Sequence, residues 1–147
     1  MLTRRRFVGL TLAALLFAPQ LQAENVLPAR YLFDCRQGQT FTRVITWCSG
    51  VTTAQCLAGT GLVNLTGFTA KLQLRDTQTG TVIDEFTDTT GLALGGALGI
   101  VTWTMTATET AALPVGSLAY DLRLTSGTSV VTYLLQGYVN VKKRITQ

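Results

Sequence analysis

From Pro28 onward, apolar and polar residues alternate in short runs separated by turn residues, the period of strands rather than of helices. Thr69–Arg75 carries the pattern most clearly, with Ala70, Leu72 and Leu74 on one face and Lys71, Gln73 and Arg75 on the other. That arrangement predicts an antiparallel strand with one wet and one buried side. Tyr31, Phe33 and Cys35 alternate with Leu32 and Asp34 and predict a first strand ending at Gln37-Gly38-Gln39. Thr40–Trp47 is rich in β-branched and aromatic residues, with Phe41, Ile45 and Trp47 on one face, and predicts a second. After the hairpin-length turn Asp76–Gly80, Thr81–Thr87 returns with Val82 and Phe86 on a shared face. Ile100–Met105, Ser117–Thr125 and Val130–Val141 complete the strands. Tyr120, Leu122 and Leu124 should point inward, and Gly137 predicts a bulge or a close backbone approach.

The intervening segments read differently. Cys48–Gly61 is small and polar and predicts an irregular excursion at one end of the domain. Leu92–Gly99 is glycine-rich, but a phosphate cradle needs a helix directly behind its glycines, and here the strand Ile100–Met105 follows. A tight β-turn is the expectation. Thr108 is placed to cap a short helical turn through Glu109 and Ala112, stopped by Pro114. About seven short strands at roughly 8–12-residue spacing predict one all-β domain, an immunoglobulin-like antiparallel β-sandwich, with a small jelly roll or barrel as runner-up. The domain is drawn over residues 28–145.

Composition sharpens this reading. The chain has 147 residues, 47% hydrophobic and 14% charged, so it is too apolar for a disordered polymer and long enough for one core. Its net charge of +4 is concentrated at the start, because Arg4, Arg5 and Arg6 supply three of the 12 basic residues. The remaining 9 face 8 acidic residues, so the body is nearly neutral and lacks the phosphate-neutralising surface a nucleic-acid binder needs. The late cluster Lys142-Lys143-Arg144 reads as a solvated tail. Residues 1–23 form a signal-like hydrophobic segment: basic residues, an apolar run from Phe7 to Ala18, Pro19, and Leu21-Gln22-Ala23 as a cleavage site. Thr3-Arg4-Arg5-Arg6-Phe7-Val8 is similar to the twin-arginine type. Competing readings are a start codon set too far upstream and a retained N-terminal helix. An apolar run of about 12 residues is too short for a stable membrane span.

Candidate chemistry is sparse. The chain has no histidine, which removes the commonest general base, metal ligand and pH switch together. Cys48 and Cys56 bracket a short loop that could close as a disulfide in an oxidising compartment, leaving Cys35; buried or free thiols are the equal alternative. Three cysteines without a C-x-x-C pair make a poor zinc site, and Arg36 is thin support for an activated Cys35. Asp84 and Glu85 are neighbours on a strand, so their side chains leave opposite faces and cannot share a substrate. Ser49, Ser117, Ser126 and Ser129 are assigned to turns or loops, outside any G-x-S-x-G context. Asn64-Leu65-Thr66 matches a glycosylation sequon, best explained by chance, and Trp47 and Trp103 are read as core or subunit-contact residues. No catalytic residue, metal or cofactor is expected, and the chain is read as not an enzyme.

Several runs carry a resemblance: Gln37-Gly38-Gln39-Thr40-Phe41, Asn64–Arg75, Gly99–Trp103, Ala111–Gly116, Tyr120-Asp121-Leu122 and Leu135–Val141. In this order they resemble a small structural protein of tailed phages and prophages, and are similar to the immunoglobulin-like N-terminal domain of phage baseplate upper proteins. The resemblance implies a non-enzymatic virion component, a tail, baseplate or fibre-attachment adaptor. It would act as a homo-oligomer through contacts with other virion proteins; capsid decoration is a related role. The export-like leader and the long Cys48–Gly61 excursion depart from that family. They support a second expectation, an exported periplasmic or surface binding module with a Cys48–Cys56 bridge. The 25 threonines suit either role, since threonine favours strands and offers a hydroxyl without charge.

Overall fold

A computed structural model describes residues 28–146; the signal-like segment 1–23 lies outside them. Among the described residues, eight strands form two sheets. β1 (Ala29–Arg36), β8 (Val131–Lys142), β7 (Gly116–Thr125), β3 (Thr69–Arg75) and β4 (Val82–Thr87) make a five-stranded sheet in that order. β2 (Phe41–Thr46), β6 (Ile100–Met105) and β5 (Leu92–Leu94) make the second. Two facing sheets with consecutive strands exchanged between them are an immunoglobulin-like β-sandwich.

The core is built by the alternation already visible in the chain. Leu72 and Leu74 of β3, Leu122 and Leu124 of β7, Val101 and Trp103 of β6 and Val139 of β8 have no more than a trace of exposure. Trp103 sits at the centre, its ring centroid 4.9 Å from Phe41, 5.7 Å from Phe86, 5.8 Å from Tyr120 and 6.0 Å from Phe33. These rings come from both sheets, so one indole ties the layers together. Its Nε1–H is buried without a hydrogen-bond partner.

Four departures from the sequence reading have physical causes. First, β1 pairs with β8 in parallel, Tyr31 opposite Gly137, so the sandwich is not purely antiparallel and has eight strands. The pairing depends on Gly137, because a Cβ there would fall on the Tyr31 carbonyl oxygen. The missing side chain also lets the Tyr120 hydroxyl pass beneath β8 and donate to that carbonyl at 3.0 Å. The bulge in this hairpin lies elsewhere, where Leu122 pairs with Leu135 and Arg123 with Tyr133.

Second, Val82 and Phe86 do not share a face. Leu74 pairs with Asp84 but Arg75 with Val82, so Ile83 is an extra residue and the strand's alternation inverts across it. Phe86 is buried and Val82 exposed.

Third, the Cys48–Gly61 excursion contains a helix, α1 (Thr53–Leu57), capped by Thr52, whose side chain and backbone exchange hydrogen bonds with Gln55. The second helix, α2 (Ala107–Ala112), begins two residues earlier than expected. Its cap is Thr106, paired with Glu109 three residues on, and not Thr108. Thr110 of α2 is fully buried, donating to the Gln39 carbonyl at 2.9 Å, and Gln37 Nε2 donates to the Leu113 carbonyl at 2.7 Å. Two runs far apart in sequence, Gln37–Phe41 and Ala111–Gly116, therefore meet and lock the β1–β2 turn.

Fourth, the glycine-rich stretch is part strand, β5, and part 3-10 turn, Gly96–Leu98. Gly99 has φ 62°, and a Cβ on it would lie 2.7 Å from the Trp47 carbonyl oxygen. Glycine is needed there to let the turn pack against the end of β2.

Candidate functional site

The residues with reactive chemistry are dispersed or spent in structure. Cys48 and Cys56 form a disulfide, Cα atoms 5.7 Å apart, closing the loop that carries α1. Cys35 is buried; desolvation pushes its thiol above the ordinary range, and nearby Arg43 pulls it back only in part. A thiol held protonated is a poor nucleophile. Asp84 and Glu85 lie on opposite faces of β4. Burial raises the Asp84 carboxyl, while hydrogen bonds from Gln73 and then Lys71 lower that of Glu85. Among the described residues there is no group of three or more His, Cys, Asp or Glu placed to hold a metal ion. Ser117 lies within β7 rather than in a loop; Ser126 and Ser129 hold the β7–β8 turn, Ser129 N donating to the Ser126 carbonyl at 2.9 Å. Asn64 Oδ1 accepts from Thr66 N at 2.9 Å, so the sequon asparagine is engaged in its own turn. Trp47 is half-buried and packs edge-on against Phe68, and Trp103 belongs to the core.

The surface depressions are shallow. Two adjoining ones, of about 260 and 290 Å³, meet over Gly137 on the outer face of the five-stranded sheet. Arg75, the cation lining one of them, is already committed, donating to the Gly80 carbonyl at 2.8 Å and to Gln73 at 2.7 Å. Among the described residues no helix is long and apolar enough to cross a membrane.

Surface chemistry separates the two sheets more clearly. The outer face of the five-stranded sheet is charged and cross-linked: Lys71–Glu85 at 2.9 Å, Lys142–Asp34 at 3.2 Å, with Asp121 and Arg123 between them. The outer face of the three-stranded sheet is formed by Thr42, Val44 and Thr46 of β2, Thr102 and Thr104 of β6, and Ala93 of β5, without a charged side chain. Val44 is 63% exposed at its centre.

The free edges differ too. Glu85 N of β4 is capped by Asp84 Oδ1 at 2.9 Å, Thr87 N is taken by the Thr90 carbonyl, and the strand is bulged at Ile83. β5 is only three residues long. β1 carries Arg30, Asp34 and Arg36 along its length, and the Asp34 carbonyl accepts from Arg43. Charge, bulge and brevity are the usual ways of blunting an edge. β2 is the least blunted: it is regular over its six residues with one charge, Arg43, and Trp47 N bonded to the Gly99 carbonyl sets the phase of its ladder. In that phase Phe41, Arg43 and Ile45 bond to β6, while the backbone groups of Thr42, Val44 and Thr46 point outward from the sheet. The Arg43 guanidinium lies 4.5 Å from the Phe41 ring centroid and donates to the Thr42 and Asp34 carbonyls, so one outward group of β2 is capped. The alternation of Thr42, Val44 and Thr46 was visible in the chain; that β2 is an edge was not, because this depends on which strands flank it.

No family model matches the chain. No curated protein matches it either. Among solved structures it is similar to a chicken TCR at 8% identity and a TM-score of 0.48, over 80% of this chain and 56% of that one. The chain thus spans a little over half the length of that neighbour.

Proposed function

We propose that this chain is a non-enzymatic structural component of a phage or prophage particle, an adaptor of the tail, baseplate or fibre attachment that works through subunit contacts. The observation that carries the reading is the charge-free threonine face of the three-stranded sheet, next to a regular strand edge whose alternate backbone groups point outward from the sheet. Such a surface is wettable while the subunit is free and costs little desolvation when it is covered, because hydroxyls are far cheaper to bury than ions. The meeting of Gln37–Phe41 with Ala111–Gly116 also supports it, since Gln37 of one run that carries the phage resemblance donates to the Leu113 carbonyl of another. The test is the protein composition of purified particles from an induced host. The chain should be present at a fixed ratio to a tail protein; its absence from particles would refute the reading.

A second reading, an exported immunoglobulin-like binding module, is favoured by one observation, the Cys48–Cys56 bridge, since disulfides persist in oxidising compartments. Mass spectrometry of the native protein separates the two. A chain beginning at Glu24 with Cys48 and Cys56 oxidised, recovered from the periplasm, supports export.

A further inference from the structure

We infer that β2 is a self-pairing edge: two copies of this chain join antiparallel across a two-fold axis at Val44, making one continuous sheet from their three-stranded sheets. The inference deepens the proposed scaffold role by naming the contact and the partner, and it rests on three observations. Among the described strand edges β2 is the one that is unbulged, longer than three residues and carries a single charge, Arg43, whose guanidinium lies over the Phe41 ring and, of the outward groups of β2, caps only the Thr42 carbonyl. Its outward backbone groups belong to Thr42, Val44 and Thr46, the same residues whose side chains form the uncharged outer face. Finally, this triplet reads the same in both directions.

The symmetry selects a second copy over an unrelated strand. In an antiparallel pair centred on Val44, Val44 faces Val44 of the second copy and Thr42 faces Thr46, each a hydrogen-bonded pair. Valine against valine and threonine against threonine are favourable cross-strand neighbours; Arg43 faces Ile45 of the second copy, and the two Arg43 charges stand only diagonally across the axis. An isologous contact requires this self-complementarity, whereas a foreign strand would not. The Thr42 carbonyl already accepts from Arg43 Nη1 at 2.8 Å, and its second lone pair remains for the partner's Thr46 N–H.

Sedimentation velocity of the oxidised chain over a concentration series tests the inference. The wild type should dimerise. Val44→Pro removes only an N–H that points away from β6, and proline is tolerated on an edge; it should weaken dimerisation roughly tenfold or more while circular dichroism stays native. A paired set guards against misfolding of that variant. Thr42→Lys with Thr46→Lys sets like charges opposite each other and should abolish the dimer, whereas Thr42→Lys with Thr46→Glu sets opposite charges together and should keep it. A wild type monomeric at every concentration overturns the inference, as does a dimer indifferent to these changes or an edge occupied by another protein. Particle composition is read separately: a monomer present in particles removes the pairing and leaves the scaffold role, and a β2-paired dimer absent from particles does the reverse.

Discussion

The two sheets solve the same internal problem with the same grammar and then diverge on their outer surfaces. Inside, each strand alternates to deliver Leu, Val and aromatic side chains to one shared core around Trp103. Outside, the five-stranded sheet is cross-linked by ion pairs and amide hydrogen bonds, whereas the three-stranded sheet offers threonine, valine and alanine and an open edge. The lesson is that core burial fixes the fold without fixing the use of the surface. A face already tied together by its own side chains is suited to solvent, and a charge-free face beside an unpaired edge is suited to a neighbour.

Removing what the sheets share should have the largest effect. Trp103→Ala empties the centre of the sandwich and should cost about 4 kcal/mol in urea unfolding. Trp103→Phe should cost less than half of that, because it also removes the unpartnered indole N–H. Equal losses from the two would mean that the indole is not the keystone of both layers.

Next comes a change confined to the larger sheet. Gly137→Ala pushes a methyl group into the Tyr31 carbonyl and should cost about 3 kcal/mol. Amide exchange should accelerate in β1 before β2; uniform acceleration would show that β1 is not held separately through Gly137.

The smaller sheet's end loop offers a third test. Replacing both Cys48 and Cys56 by Ser frees a short loop and should cost about 2 kcal/mol, read as a lower urea midpoint with the β-sheet circular dichroism unchanged. Loss of all sheet signal would mean that the loop supports the fold itself.

The smallest effect belongs to the charged face. Lys71→Ala should change stability only slightly at neutral pH, because the Lys71–Glu85 pair is open to solvent. The Glu85 carboxyl is held below its ordinary value of 4.5 by Gln73 and Lys71, so its contribution is present above that pH and is lost as pH falls through the folded value. The gap between wild type and variant should therefore close on acidification and in high salt. A gap that widens in acid would reverse this sign.

How far the chain could be read in advance follows from what each element depends on. β3 was legible to the residue because its flanks, β4 and β7, bury the same three side chains, Ala70, Leu72 and Leu74. The inversion at Ile83 was not, since a bulge is a property of pairing and leaves no local mark. α1 is too short to show a period and is held by Thr52, Gln55 and the neighbouring disulfide. The Thr106–Glu109 box was written in the chain, at a spacing that a search starting from Thr108 passes over. The parallel β1–β8 pair depends on a contact between residues about one hundred positions apart, and Gly137 signals only that something must come close. The candidate surface follows the same rule: the threonine content and the alternation in β2 were on display, while its edge position and the concentration of charge on the opposite sheet emerge only from the topology.

The most direct trial of the account is to quantify this chain in purified phage particles by mass spectrometry against a known tail protein. The account predicts a constant stoichiometry from one preparation to the next. Particles complete and infective without it, with the chain recovered instead as a free monomer, would contradict it.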